Sequence, residues 1–268
     1  MKRRKRILRI GSLILAVSLI GIILFMTNEL TGNPVSSRAA DKAIQRHVKE
    51  HYPDLKLQVG KSKYNFKFSE YYAEAKSETS PDTVFRIYYK NGQVDYDEYD
   101  SNVLGKLNTL QRLEQEYAQA ITPILAQIQG LEEPRATVML DDPKEEAREK
   151  LTLDMPFRKD LPLNVKLAVH ADMPEISLGA VADRLERVHE SLLEHDYRFV
   201  EYSLSAEGDG SLISVSFVKP TDIENGQLES LLESALRAND SGDGRNENKE
   251  DMAEEPESQI HVFMKSGK

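Results

Sequence analysis

Leu163-Asn164-Val165-Lys166-Leu167-Ala168-Val169-His170 decides the fold of the C-terminal half. Leu163, Val165, Leu167 and Val169 alternate with Asn164, Lys166, Ala168 and His170, the period-two pattern of a strand with one buried face. Working outward, Ser177 stands where a helix N-cap belongs. Leu178, Val181, Ala182, Leu185, Val188 and Leu192 then share one helical face. Val200, Tyr202, Leu204 and Ala206 alternate again, Gly208-Asp209-Gly210 turns the chain, and Ile213, Val215 and Phe217 alternate in their turn. Thr221-Asp222-Ile223-Glu224 reads as a capping box ahead of Leu228, Leu231, Leu232, Ala235 and Leu236. Ile260, Val262 and Met264 form a last strand. The order β-α-β-β-α-β predicts a ferredoxin-like module over 163–268, with two helices on one face and a polar opposite face.

Upstream, residues 38–130 predict a first α+β module. Ala39, Ala40, Ala43, Ile44, His47 and Val48 recur at helical spacing, and Pro53 stops that helix. Four strand-like segments follow: 55–59, 64–68 running on towards Tyr72 and Ala75, 83–89, and 93–99. Asn91-Gly92 marks a two-residue hairpin between the last two. Leu104 to Gln129 reads as a long helix with Pro123 inside it. The module is therefore expected to be helix, meander, helix. Residues 131–162 read as a linker with a short helix capped at Asp142-Pro143-Lys144-Glu145.

The N-terminus sets the expected location. Lys2-Arg3-Arg4-Lys5-Arg6 and Arg9 form a basic tail over 1–9, and an apolar run follows over 10–26. Such a run predicts a transmembrane helix, and the cations place the tail in the cytoplasm. A cleaved signal peptide shares this charge pattern. The length of the run and its distance from Ser37-Arg38-Ala39 favour an uncleaved anchor. Residues 27–37 then serve as a juxtamembrane linker. The chain has no Cys, so neither disulfides nor a lipid-modified Cys anchor enter the account. The formal net charge is −10 and all six cations of the tail lie on one side, so the body is more acidic still. It is repelled by nucleic acid and anionic polymers, and no nucleic-acid partner is expected.

Between Ala43 and Val103 stand His51-Tyr52-Pro53, Tyr64-Asn65-Phe66, and Phe85-Arg86-Ile87-Tyr88-Tyr89 ahead of Asn91-Gly92. In these residues and in its layout the chain resembles the YfjL-like family, membrane-anchored proteins of Gram-positive bacteria without established function. The resemblance implies a single anchor with an α+β exterior and brings no catalytic residues with it. The helix-then-meander order is also similar to PepSY-like and cystatin-like modules, which bind or inhibit.

Several constellations invite chemistry. His47-Val48-Lys49-Glu50-His51 matches the H-x-x-E-H zinc-peptidase string, against the plainer reading of a helix ending in two histidines near its negative pole. Asp95, Asp97, Glu98 and Asp100 surround Tyr96 and Tyr99, as a solvated strand end or a hard-oxygen cluster. The Tyr71-Tyr72 and Tyr88-Tyr89 pairs suit sheet packing or ligand stacking. No spacing links Ser, His and Asp, so no catalytic or cofactor-binding residues are assigned. Residues 239–257 are rich in acid and are expected to form a disordered loop. Within it, Asn239, Ser241, Asp243 and Glu250 fall at positions one, three, five and twelve of a calcium loop around Gly244, a diffuse Ca²⁺ attractor rather than a built site. The expectation is a single-pass membrane protein with its body outside the cell, binding a protein partner at the surface without catalysis. The rivals are a wall-associated hydrolase, an inhibitor of one, or a structural accessory subunit of a membrane complex.

Overall fold

The computed structural model describes residues 11, 13–20, 26, 30–141, 147–174, 176–208, 210–240 and 260–265. It is α+β and divides into two compact units, residues 1–108 and 109–268, each with its own sheet and core.

The first unit begins with α1 (Pro34–His51). Asn33 caps it, its Oδ1 accepting from the Val35 N–H at 2.7 Å, and Pro34 occupies the first helical position. The helix therefore starts inside the stretch 27–37 expected to be a linker, and Pro34 suits its first position because its missing N–H is one the first turn does not use. Gly32 just ahead has φ +74, and a Cβ there would lie 2.7 Å from the Tyr64 ring. Only glycine fits that approach. The strands are β1 (Leu57–Val59), β2 (Lys63–Asn65), β3 (Glu70–Ser77), β4 (Val84–Lys90) and β5 (Gln93–Asp97). They pair in the order β1-β3-β4-β5, with β2 also on β3. Tyr64 to Ala75, read as one long segment, splits into β2 and β3 because Ser69 at φ +52 turns the chain. Asn91 and Gly92 both have positive φ, as a tight hairpin requires. Ala40, Ile44 and Val48 of α1 meet Tyr71, Ala73, Ala75, Phe85 and Ile87 on the inner sheet face.

The second unit is built on a sheet in the order β10-β9-β8-β7-β6. Its strands are β6 (Arg135–Asp141), β7 (Asn164–Asp172), β8 (Glu201–Gly208), β9 (Ser211–Val218) and β10 (His261–Lys265). The helices are α2 (Leu107–Leu125), α3 (Ala147–Lys150), α4 (Leu178–Glu194), α5 (Pro220–Glu224) and α6 (Leu228–Asp240). Ser177 caps α4, its Oγ accepting from the Ala180 N–H at 3.2 Å. The helix expected from Thr221 onward is two pieces, α5 and α6, separated at Gly226 with φ +66. Leu113, Tyr117 and Ile121 of α2, Val181 and Leu185 of α4, and Leu228 and Leu232 of α6 share one core with the inward side chains of the sheet.

Three expectations are corrected. The C-terminal module is not ferredoxin-like. That arrangement splits its β-α-β units, whereas here α4 joins β7 to its parallel neighbour β8. The sheet also has a fifth strand, β6, inside the supposed linker 131–162, paired antiparallel with β7. The first module is not helix-meander-helix, because the face of α2 packs in the second core. The transmembrane helix over 10–26 is not supported either. Among the described residues no helix is long and apolar enough to cross a membrane. Residues 10, 12 and 21–25 of the expected span lie outside the described residues, as do the expected cap at 142–145 and most of the acidic loop.

The shared core makes the boundary testable. Residues 109–268 expressed alone should unfold cooperatively, whereas 160–268, lacking β6 and α2, should not. In the full chain, Val215→Asp puts a charge at a site with no solvent exposure and should cost several kcal/mol. An unchanged melting temperature would contradict the assignment of the inner face.

Candidate functional site

The two histidines of the zinc-like string lie on the last turns of α1, and their bonds are structural. His47 Nε2–H donates to Asp97 Oδ2 at 2.8 Å. The Tyr52 hydroxyl donates to the same oxygen at 2.8 Å, and the Tyr99 N–H donates to Asp97 Oδ1 at 3.0 Å. His51 Nδ1–H donates to the His47 carbonyl at 3.0 Å, and the two rings stack with centroids 4.2 Å apart. Stacked rings do not converge on a metal, and the Nε2 of His47 is spent on Asp97. Among the described residues no group of three His, Cys, Asp or Glu is placed to hold a metal ion. Burial is the largest influence on the Asp97 carboxyl and pushes it up. The hydrogen bonds from His47, Tyr99 and Tyr52 and the His47 charge outweigh it, so Asp97 titrates below its ordinary range. Tyr52 is pushed up, first by burial and then by its bond to Asp97.

The opposite face of this sheet is open, and it holds the candidate site. Strand alternation points Tyr72 and Glu74 of β3, Arg86 and Tyr88 of β4, and Tyr96 of β5 outward. The ladder sets Tyr72 opposite Tyr88, Tyr88 opposite Tyr96, and Glu74 opposite Arg86. The three rings form a row. Tyr88 and Tyr96 stack at 4.4 Å and 14°, and Tyr72 and Tyr88 lie 5.9 Å apart. Tyr88 is nearly covered while Tyr96 is 49% exposed. The Arg86 guanidinium sits over the Tyr72 ring, 5.4 Å from its centroid. Glu98 ties the row down. It accepts from the Tyr88 hydroxyl at 2.7 Å, from the Arg86 N–H at 3.2 Å and from Asn102 Nδ2 at 3.2 Å. Burial first, then the bond to Glu98, pushes the Tyr88 hydroxyl up to about 12, with Arg86 working the other way. At the Tyr72 end of the row opens a cleft of about 440 Å³ lined by Lys61, Lys63, Tyr72, Glu74, Lys76 and Arg86 among others. A fixed aromatic–guanidinium surface beside an open cleft can hold a ligand by stacking and charge without rearranging.

The tyrosine pairs foretold stacking, but not which members stack. Tyr72 and Tyr88 face outward, while Tyr71 and Tyr89 go to the core side. The cleft was missed. Its signal was the recurrence of Lys and Arg at outward positions of neighbouring strands, which only the register brings together.

The second unit assembles a Ser, a His and an Asp that no spacing had linked. His170 Nδ1 and Ser205 Oγ share a hydrogen bond of 2.9 Å across β7 and β8. Asp172 Oδ1 lies 3.8 Å from His170 Nε2, too far for a hydrogen bond, and instead accepts from Arg135 Nη2 at 2.8 Å. β8 is paired on both edges, so the main-chain N–H groups around Ser205 are engaged in the ladder rather than aimed at a reacting oxygen. His189 is buried, with Nδ1 2.8 Å from the Tyr202 hydroxyl, whereas His195 caps α4 at the surface. Of the calcium-loop candidates, Asn239 lies within α6 and its Nδ2 donates to the Val262 carbonyl of β10 at 2.7 Å. Ser241, Asp243 and Glu250 lie outside the described residues.

Asp97→Asn replaces an acceptor with a group whose NH₂ opposes His47. It should destabilise the first unit by about 1–3 kcal/mol at neutral pH. Because folding lowers the Asp97 pKa, its contribution is present above the ordinary carboxylate range and is lost as pH falls through the lower folded value. The variant should therefore lose less stability than the wild type between neutral and acid pH, as read by thermal unfolding.

Comparison with known proteins gives this fold its relatives. The N-terminal domain of the YfjL-like family matches residues 6–122, and the YfjL-like C-terminal domain matches residues 116–233. "Uncharacterized protein YfjL" of Bacillus subtilis (strain 168) is 24% identical over 231 residues, covering 81% of this chain and 96% of that relative. No solved structure matches. With both family domains matched in order along most of its length, the chain belongs to the YfjL-like family.

Proposed function

We propose that this protein is a non-catalytic binding protein working at the cell surface, and that the outer face of its first sheet is where it binds. The observation that carries the reading is the row Tyr72-Tyr88-Tyr96 with Arg86 laid on Tyr72 and a cleft beside it. Such a surface costs little to organise at the moment of binding, because Glu98 already holds the Tyr88 hydroxyl, Tyr96 stacks on Tyr88 and Arg86 lies over Tyr72. The groups that suggested chemistry are committed elsewhere: His47 to Asp97, and Asp172 to Arg135. The surface location is supported by the acidic, cysteine-free composition of the chain.

Two measurements test this. Full-length protein immobilised in wall and membrane extracts of its host should retain material of unchanged mass, and Arg86→Ala combined with Tyr96→Ala should lose it. Retention indifferent to those changes, or release of cleaved material, would contradict the reading. Protease added to intact wall-free cells should digest the body; a protected body would contradict the location.

A further inference from the structure

The cleft beside the tyrosine row has a charge that solubility does not explain. Lys61, Lys63 and Lys76 are exposed, and Arg86 joins them in the lining. Among the described residues the three lysines make no salt bridge. Glu74, opposite Arg86 in the ladder, is the carboxylate of the lining. Four positive charges thus meet one negative charge in a chain whose formal net charge is −10. Like charges gathered around one concave surface raise its positive potential and draw an anion to it.

The arrangement also selects the kind of anion. Arg86 presents a planar donor fork held in place on Tyr72, while the lysines are point charges on flexible stems. A carboxylate offers two oxygens and one charge, too few for this set. A phosphoryl group offers three acceptor oxygens and about −1.5 to −2 charge at neutral pH. Two linked phosphoryl groups match the net positive charge of the lining and fit a cleft of about 440 Å³. We propose that this cleft binds a diphosphate group, with the rest of the ligand lying along the tyrosine row. The proposal rests on the outer face being the binding surface. The shared chemistry is the diphosphate, whether on a soluble ester or a lipid headgroup.

Calorimetry of the full-length protein with inorganic pyrophosphate at low salt tests it. Saturable one-to-one binding is expected, tighter than sulfate at equal ionic strength. Lys63→Gln combined with Lys76→Gln should weaken it at least tenfold, and Lys67→Gln, outside the cleft lining, should not. Absence of saturable binding, equal affinity for sulfate, or indifference to the double substitution would overturn the proposal. Flotation with vesicles bearing a diphosphate-headed lipid, against vesicles without it, separates the sources. Enrichment on the former assigns the site to a headgroup; pyrophosphate binding without enrichment assigns it to a soluble ester. If the extracts still yield a ligand that Arg86→Ala/Tyr96→Ala loses while pyrophosphate fails to bind, the binding face stands and the diphosphate falls.

Discussion

Asp97 accepts hydrogen bonds from the last turn of a helix, from the residue that ends it, and from its own strand's exit. The first unit is arranged around that convergence. Its sheet has one apolar face, and among the described residues α1 is the helix that covers it. A helix laid on a sheet can slide along the pleats unless both ends are fixed. Here the N-terminal end is held where the Asn33 N–H donates to the Tyr71 hydroxyl at 2.6 Å, and the C-terminal end by His47 and Tyr52 on Asp97. With one face sealed this way, the opposite face is left to the solvent. The tyrosine row and the cationic cleft occupy it.

The second unit solves a different problem. Parallel pairing of β7 and β8 needs a crossover, and α4 supplies it on the same side as α2 and α6. Tyr117 of α2 shows how closely these layers interlock. It is fully buried, its ring lies 5.5 Å from Tyr197 and 5.6 Å from Phe199, and burial pushes its hydroxyl up to about 12. The outer face of this sheet carries short polar side chains such as Ser203, Ser205 and Ser214, in keeping with the alternation read from the sequence.

What the sequence made legible was local. Period-two alternation identified the inward residues of β7, β8 and β9, Ser177 announced its helix, and Asn91-Gly92 its hairpin. Strand neighbours were not legible, because alternation says which side chains face the core and not which strands touch. The ferredoxin-like order failed on that point. β6 is legible in the alternation of Ala136, Val138 and Leu140, although the prolines and charges on either side give the stretch the composition of a linker. The linker expected over 27–37 instead holds the start of α1, because Asn33 and Pro34 stand at the cap and first helical positions. The site was half legible: aromatic pairs stood out in the sequence, whereas the four cations are scattered between 61 and 86 and become a cleft only through register.

The account turns on Asp97 being an ionised structural acceptor rather than part of a metal or proton-transfer site. Carbon-13 NMR of its side-chain carboxyl across a pH titration measures this directly. The account predicts a midpoint below that of an ordinary aspartate. A midpoint at or above the ordinary value would mean that His47, Tyr52 and Tyr99 do not hold the carboxylate, and the structural reading of the H-x-x-E-H string would fail with it.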